Sequence, residues 1–480
     1  MNLHTIADRL PTVLRHPRFA YSGILCGHVW VWDACHMASA QNPELSPTVT
    51  IYIAMTLFLL GVTLAALFAK PRQTAISWAD WPIAALMAAS TILLTCPLPS
   101  SWPRTLIVPA AAVFGGIGMG WTYLQWSFFY AQLNVRNAIA CIFGAMALGS
   151  VIKIPIDLLP VWPAALICAA LPFASPILYR RAQAHQPACE PVEPIYTLRT
   201  LQPLLKIMLG VAAYGLVIGI MQGMVIEADP TPKWALSGVH HLLEVAVAGI
   251  VLWMVFVRRK SLPFSLLWRM ILAFTATGVL ALPLFGRLLS GWALVVIGVA
   301  QTLVVMLLWA MLADVAHRSS LSPLAVFGFG WIAYSLPFPV GQVLGSTLSL
   351  DSAAASLVAV IVYLLAMASV FLLDERDFSR NRIFADLQKP APPQSLFGSI
   401  EHACRTLGTQ GSLTDREEEV MVLICHGRSK GYIAENLCIS ENTVRSHARH
   451  LYAKLGVHSK QDLLDLVFDE AGITPSQPTA

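Results

Sequence analysis

The chain has 480 residues, 56% hydrophobic and only 12% charged, with a formal net charge of +4, and its mean hydropathy is +0.64. A soluble globular domain has about 25% charged residues, so the composition excludes an ordinary soluble protein over most of this length and fits a polytopic membrane protein. Nine cysteines without a CxxC pair exclude a zinc or disulfide framework. The chain also lacks a Gly-rich phosphate loop, an HExxH string and a GxSxG elbow, so it is not read as an enzyme, and no catalytic residue, cofactor or metal site is expected.

From the N-terminus, apolar runs of bilayer-spanning length, about 20 residues each, are expected near 19–38, 48–69, 79–96, 105–124, 137–156, 161–179, 203–224, 235–257, 264–285, 291–312, 324–348 and 353–373. The first run starts near Phe19 and carries His28, Asp33 and His36, so it reads as a span and not as a cleavable signal peptide. The polar stretch 180–202 divides the twelve runs six and six. With the N-terminus inside, eighteen Lys or Arg residues up to Arg382 fall on the inner side, against four (Arg104, Lys153, Lys233, Arg287) on the outer. That bias places both termini in the cytoplasm of a multi-pass cell-membrane protein, with lipid as a partner.

Two six-span halves around a central cytoplasmic loop resemble the major facilitator superfamily in layout. The loop after the second span reads AKPRQTAISW and lacks that superfamily's Gly-x-x-x-Asp-Arg-x-Gly-Arg pattern. The resemblance therefore implies a transporter-like fold used as a sensor, with a secondary transporter carrying a regulatory tail as the alternative.

Ionisable groups at membrane depth are costly and tend to mark a pathway or a site. Asp33 and His36 stand three apart on one helical face of the first span, and His28 lies one to two turns earlier. The eighth span offers His240, His241 and Glu244. His28, Asp33, His36, His241 and Glu244 are the candidate small-molecule ligand residues. Interhelical hydrogen bonding, or hydration of His240 and His241 near the outer interface, is the competing reading. Gln301 and Gln342 sit in later spans, and Trp121, Tyr123, Gln125 and Trp126 at the end of the fourth have the look of an interface belt.

Residues 1–373 thus form the membrane domain, and 374–411 form a cytoplasmic linker with a Pro-rich hinge from Lys389 to Pro393. Ile400, Cys404 and Leu407 hint at a short amphipathic helix before the last domain. Residues 412–470 carry the strongest pattern in the chain, and 471–480 are expected to be a disordered tail. Thr414 with Glu417 three residues on has capping-box spacing. Ser429, Ser440 and Ser459 are N-caps for the next three helices, with Gly427 and Gly456 as stops. In the third helix, Val444, Ala448, Leu451 and Leu455 make an inward stripe, whereas Asn442, Arg445 and Arg449 fall on the other side. A short helix, a tight turn and a helix with an outward basic row is the helix-turn-helix plan.

In these residues the chain resembles the DNA-binding domain of LuxR-type transcriptional regulators. Leu413, Thr414, Arg416, Glu417, Gly427, Ser429, Ile433, Ala434, Thr443, Val444, His447, Tyr452, Lys454, Leu455 and Gly456 match its pattern in order. Lys430, Gly431 and Tyr432 replace its Asn-Lys-Glu, and Arg445 its usual Lys. The resemblance implies double-stranded promoter DNA as partner, with Arg445, Ser446 and Arg449 at base edges. Thr443, Lys430 and Lys454 are better placed for phosphates. It also implies a homodimer through the fourth helix (Leu463, Leu464, Val467), with RNA polymerase as a further partner. The expected fold class is all-α: a twelve-helix transmembrane bundle, six and six, followed by a small four-helix helix-turn-helix domain.

Overall fold

The computed structural model describes residues 18–42, 45–68, 78–96, 101–185, 202–224, 232–257, 290–347, 403–408, 411–437 and 439–470, with Tyr196 and scattered positions between 271 and 278 and between 356 and 363. The chain divides into two compact units, 1–388 and 389–480.

The described part of the first unit is helical. After a short 3-10 turn at Phe19–Ser22 come α1 (Leu25–Gln41), α2 (Pro47–Phe68), α3 (Asp80–Thr95), α4 (Arg104–Tyr130), α5 (Val135–Asp157) and α6 (Val161–Ala184). They are followed by α7 (Gln202–Gly223), α8 (Lys233–Phe256), α9 (Ser290–His317), α10 (Pro323–Ser335) and α11 (Pro337–Ser346). Seven helical segments among the described residues are long and apolar enough to cross a bilayer, and Asp80–Thr95 and Ile207–Gly223 are shorter apolar helices. The ninth and twelfth expected spans lie almost wholly outside the described residues. The eleventh is broken in two at Leu336, because Pro337 offers no N–H to continue the ladder.

These helices are apolar on both faces. α2 turns Leu57, Leu60 and Leu64 outward, and α8 does the same with Leu242, Ile250 and Trp253. A water-soluble molecule does not carry contiguous apolar surface on this scale, whereas a hydrocarbon surround favours it. The interior is aromatic. Trp30, Trp126, Trp309 and Trp331 are fully buried, and Tyr123 packs on Trp331 with ring centroids 4.5 Å apart. Trp126 therefore does not belong to an interface belt. Its Nε1 donates to Ser175 Oγ at 3.0 Å inside the bundle.

α7 and α11 approach backbone to backbone. Gly215, Gly219 and Gly223 recur every fourth residue on α7 and meet the α10–α11 segment. A Cβ on Gly219 would stand 2.1 Å from the Phe338 carbonyl oxygen, and one on Gly345 would stand 2.1 Å from that of Ile220. Small residues at this spacing are how helices close up where no water is present to drive them together.

The second unit has its own core. α12 (Asp415–Cys425), α13 (Lys430–Asn436), α14 (Glu441–Leu455) and α15 (Lys460–Glu470) enclose Val420, Ile433, Val444, Leu451, Leu463 and Val467. The expected capping box is present: Glu417 N–H donates to Thr414 Oγ1 at 3.3 Å, and Thr414 N–H donates to Glu417 Oε2 at 2.9 Å. Ser429, Ser440 and Ser459 accept from Tyr432, Thr443 and Asp462 N–H in turn. Gly427 and Gly456 take the positive φ values, 77° and 69°, that end a helix in the left-handed region. Residues 403–408 are helical, and Ala403, Cys404 and Leu407 join this core. The folded unit therefore begins before residue 412, inside what reads by sequence as linker.

Candidate DNA-reading surface and buried polar cluster

The reading face is built by α14. Val444, Ala448 and Leu451 are buried against α12 and α13, and this pins the rotation of the helix. Asn442, Arg445, Ser446 and Arg449 are then all exposed on the other side. Thr443 is half-buried, and its hydroxyl lies 2.8 Å from Ser440 Oγ at the helix start. Lys430 is exposed on the first turn of α13. Arg428, Lys430, Arg445 and Arg449 line one open groove of about 800 Å³ together with Tyr452 and Lys460. Arg428 is held over the Tyr432 ring at 4.9 Å. An arginine row on an exposed helix can pair with guanine O6 and N7, and the flanking cations can meet phosphates.

Two sequence assignments change here. Lys454 does not stand free for a phosphate. Its Nζ donates to Glu417 Oε2 at 2.7 Å and to the Ser412 carbonyl at 3.1 Å, tying the end of α14 to the start of α12. That ammonium, with the backbone bonds of the capping box, holds the Glu417 carboxyl down at about 2. On α15, Leu463 and Val467 point into the domain's own core at 0% exposure. Of the three residues named for a dimer surface, only Leu464 remains partly exposed.

The second cluster lies inside the bundle where α1, α5, α8 and α9 meet. Lys153 of α5 and Glu244 of α8 form an ion pair at 3.0 Å with both side chains fully buried. Glu244 also accepts from Ser150 Oγ at 2.8 Å and from Thr302 Oγ1. His241 spans two carboxylates, with Nδ1 2.9 Å from Glu244 and Nε2 3.1 Å from Asp157. His28 Nε2 lies 3.1 Å from the Lys153 ammonium. Trp32 roofs the group: His240 stacks on its ring at 4.4 Å, and Lys153 sits over it at 4.8 Å. Burial this deep is tolerated because each charge meets an opposite one or several hydrogen-bond donors.

His28, His241 and Glu244 are thus brought together, and Asp33 joins them, buried to 3%. His36 stands at the edge of the group: it is exposed, its ring lies 4.3 Å from that of Trp32, its Nδ1 is 2.7 Å from the Trp32 carbonyl oxygen, and no hydrogen bond joins it to Asp33. His240 and His241 are not hydrated at an interface, being 2% and 0% exposed. Sequence reasoning assigned Lys153 to an outer loop and passed over Asp157. Yet Lys153 lies inside the expected fifth span, and a lysine at that depth is itself the signal for a buried partner.

Residues 411–467 match the family model of bacterial regulatory proteins of the luxR family. The chain is 46% identical across 55 residues to an HTH-type transcriptional regulator of Mycobacterium tuberculosis, a stretch that covers 12% of this chain and 6% of that protein. It is 48% identical across 59 residues, 12% of this chain, to a nitrate/nitrite response regulator protein homolog of Haemophilus influenzae, of which it spans 28%. It is also 34% identical across 90 residues, 18% of this chain, to an HTH-type transcriptional regulator of Aeromonas salmonicida, of which it spans 45%. The chain thus spans less than half the length of each of these relatives, and the family match lies in the C-terminal unit. That unit is a LuxR-type helix-turn-helix domain.

Proposed function

We propose that the protein is a membrane-embedded transcriptional regulator. Its twelve-span bundle senses a small molecule or a membrane signal, and its C-terminal domain binds double-stranded promoter DNA as a homodimer. Both termini face the cytoplasm, where RNA polymerase can be met. The observation that carries this reading is the exposed row Asn442, Arg445, Ser446 and Arg449 on α14 of a LuxR-type domain, in one chain with helices of bilayer-spanning length. The bundle supplies the sensing part through the buried cluster of His28, Asp33, His241 and Glu244, since intramembrane charge of this kind is costly unless it is used.

The test is cross-linking and recovery of DNA with the full-length protein in its native membrane. Discrete promoter fragments should be enriched by the wild type and lost in the Arg445→Ala/Arg449→Ala variant at equal protein level. Recovery of no fragment above background would overturn the reading. Secondary transport is the second reading, favoured by the same buried ion pair, which fits a coupling site. Saturable solute flux in proteoliposomes would support it.

A further inference from the structure

His240, His241 and Glu244 of α8 present one donor atom each within 4.8 Å of one another, all three buried. His240 Nδ1 faces the Val295 carbonyl oxygen at 3.3 Å. A carbonyl only accepts, so Nδ1 carries a proton and Nε2 is the ring atom that points inward. There Nε2 lies 3.2 Å from Glu244 Oε1. Only a cation, a proton on Nε2 or a metal ion, can be shared between these two atoms. Metal–ligand bonds of about 2.0–2.1 Å at tetrahedral angles set neighbouring donors about 3.3 Å apart, close to this spacing. A histidine that gives its Nδ1–H to a backbone carbonyl and turns Nε2 inward has the orientation of a metal ligand.

We propose that His240, His241 and Glu244 bind one divalent transition-metal ion of the zinc class, and that Lys153 is the resident cation that holds Glu244 in its absence. His28 supplies the fourth donor, because its Nε2 already faces the Lys153 ammonium at 3.1 Å and is left facing the ion when that ammonium withdraws. A set of imidazoles with one carboxylate selects transition metals over magnesium and calcium, which require oxygen ligands. The charge tally agrees: the carboxylates of Glu244 and Asp157, both within reach of His241, face the single ammonium of Lys153. The inference rests on the reading of the bundle as the sensing part and names what it senses.

The test uses full-length protein in detergent, freed of any histidine tag and stripped with chelator, titrated with Co²⁺ and followed by visible absorption. One equivalent should bind with the intense bands of tetrahedral cobalt, and Zn²⁺ should displace it. His240→Asn should weaken binding by more than about tenfold, since even outer partners of a metal site are worth that much. Lys153→Met should tighten it. The Lys153→Met/Glu244→Gln variant removes one charge of each sign, so it leaves the net charge of the interior unchanged and the bundle folded, and it should bind no cobalt. Absence of saturable binding in both the wild type and Lys153→Met, or unchanged binding in His240→Asn, would overturn the proposal. Binding is measured without DNA, so its failure leaves the DNA-binding reading standing, and loss of promoter recovery alone leaves the metal site standing.

Discussion

Lys454 and Glu417 are 37 positions apart, yet the lysine ammonium sits 2.7 Å from the carboxylate that also closes the first helix's capping box. One carboxylate therefore caps α12 and anchors the end of α14, the helix that carries the reading row. The orientation of Arg445 and Arg449 is thus tied to the start of α12 through the far end of their own helix.

Lys454→Ala should lower the stability of the 395–480 fragment by about 1 kcal/mol, the scale of a partly exposed but well-aligned charged pair. The fragment is a fair object because this unit encloses its own core. Thermal or urea unfolding gives the number, and an unchanged midpoint would return Lys454 to the phosphate role.

Acid should weaken the same unit. Glu417 titrates at about 2 in the fold and at its ordinary 4.5 when the chain is unfolded. Its folded value is depressed, so its stabilisation is fully present above 4.5 and is lost as the pH falls from 4.5 towards 2. Urea midpoints at pH 7, 4 and 3 should fall in that order, and Lys454→Ala should flatten the slope. An identical slope in the variant would show that other carboxylates carry the acid sensitivity.

Base and phosphate contacts should separate by their responses. Arg445→Ala should cost about 1–3 kcal/mol against the true promoter and relax preference at one base pair. Lys430→Ala should weaken promoter and scrambled duplexes alike and lower the salt slope by about one unit. The measurement is duplex binding at two salt concentrations with a dimerising fusion of the fragment. Full promoter preference in Arg445→Ala would mean that the reading face is elsewhere.

In the bundle, Lys153→Ala should cost about 3–5 kcal/mol by leaving the buried Glu244 carboxylate without its cation. Most of that loss should return in Lys153→Met/Glu244→Gln. Unfolding of the detergent-solubilised full chain reports both, and a single variant as stable as the wild type would argue that Glu244 has another compensating partner.

Gly219→Ala should destabilise the α7–α11 pair, since the new methyl would stand 2.1 Å from a carbonyl oxygen that cannot turn aside, whereas Gly61→Ala meets nothing within 4 Å and serves as control. Equal melting temperatures for the two variants in detergent would contradict the close approach.

What could be read from the sequence was local. Thr414 and Glu417, Ser440 and Gly456 act within one turn of their own backbone, so spacing alone located them, and the inward stripe from Val444 to Leu451 followed from period. The Lys454 tether was not legible, because its partner lies two helices away and a surface lysine near a helix end fits a phosphate as well. The buried cluster was half legible: His28, Asp33, His241 and Glu244 stood out as polar groups in apolar runs. Lys153 did not, because it pairs with Glu244 across 91 residues and a count of loop cations absorbed it. His36 was the reverse case. Its i, i+3 spacing from Asp33 places it near that residue on a helical wheel, but its ring packs on Trp32 of its own helix and stays exposed, while Asp33 is buried.

The glycine seam between α7 and α11 differs in kind from the aromatic packing beside it. Tyr123, Trp309 and Trp331 interlock, so a change in their arrangement must reset several rings at once. Along the seam Gly219, Gly223, Gly341 and Gly345 leave no room for a Cβ between the two backbones. A one-residue translation of α11 along α7 would set side chains where only glycine fits, so the seam fixes the register of the pair. The aromatic block resists rotation and the glycine seam resists sliding, so any motion of these helices must carry α7 and α11 together.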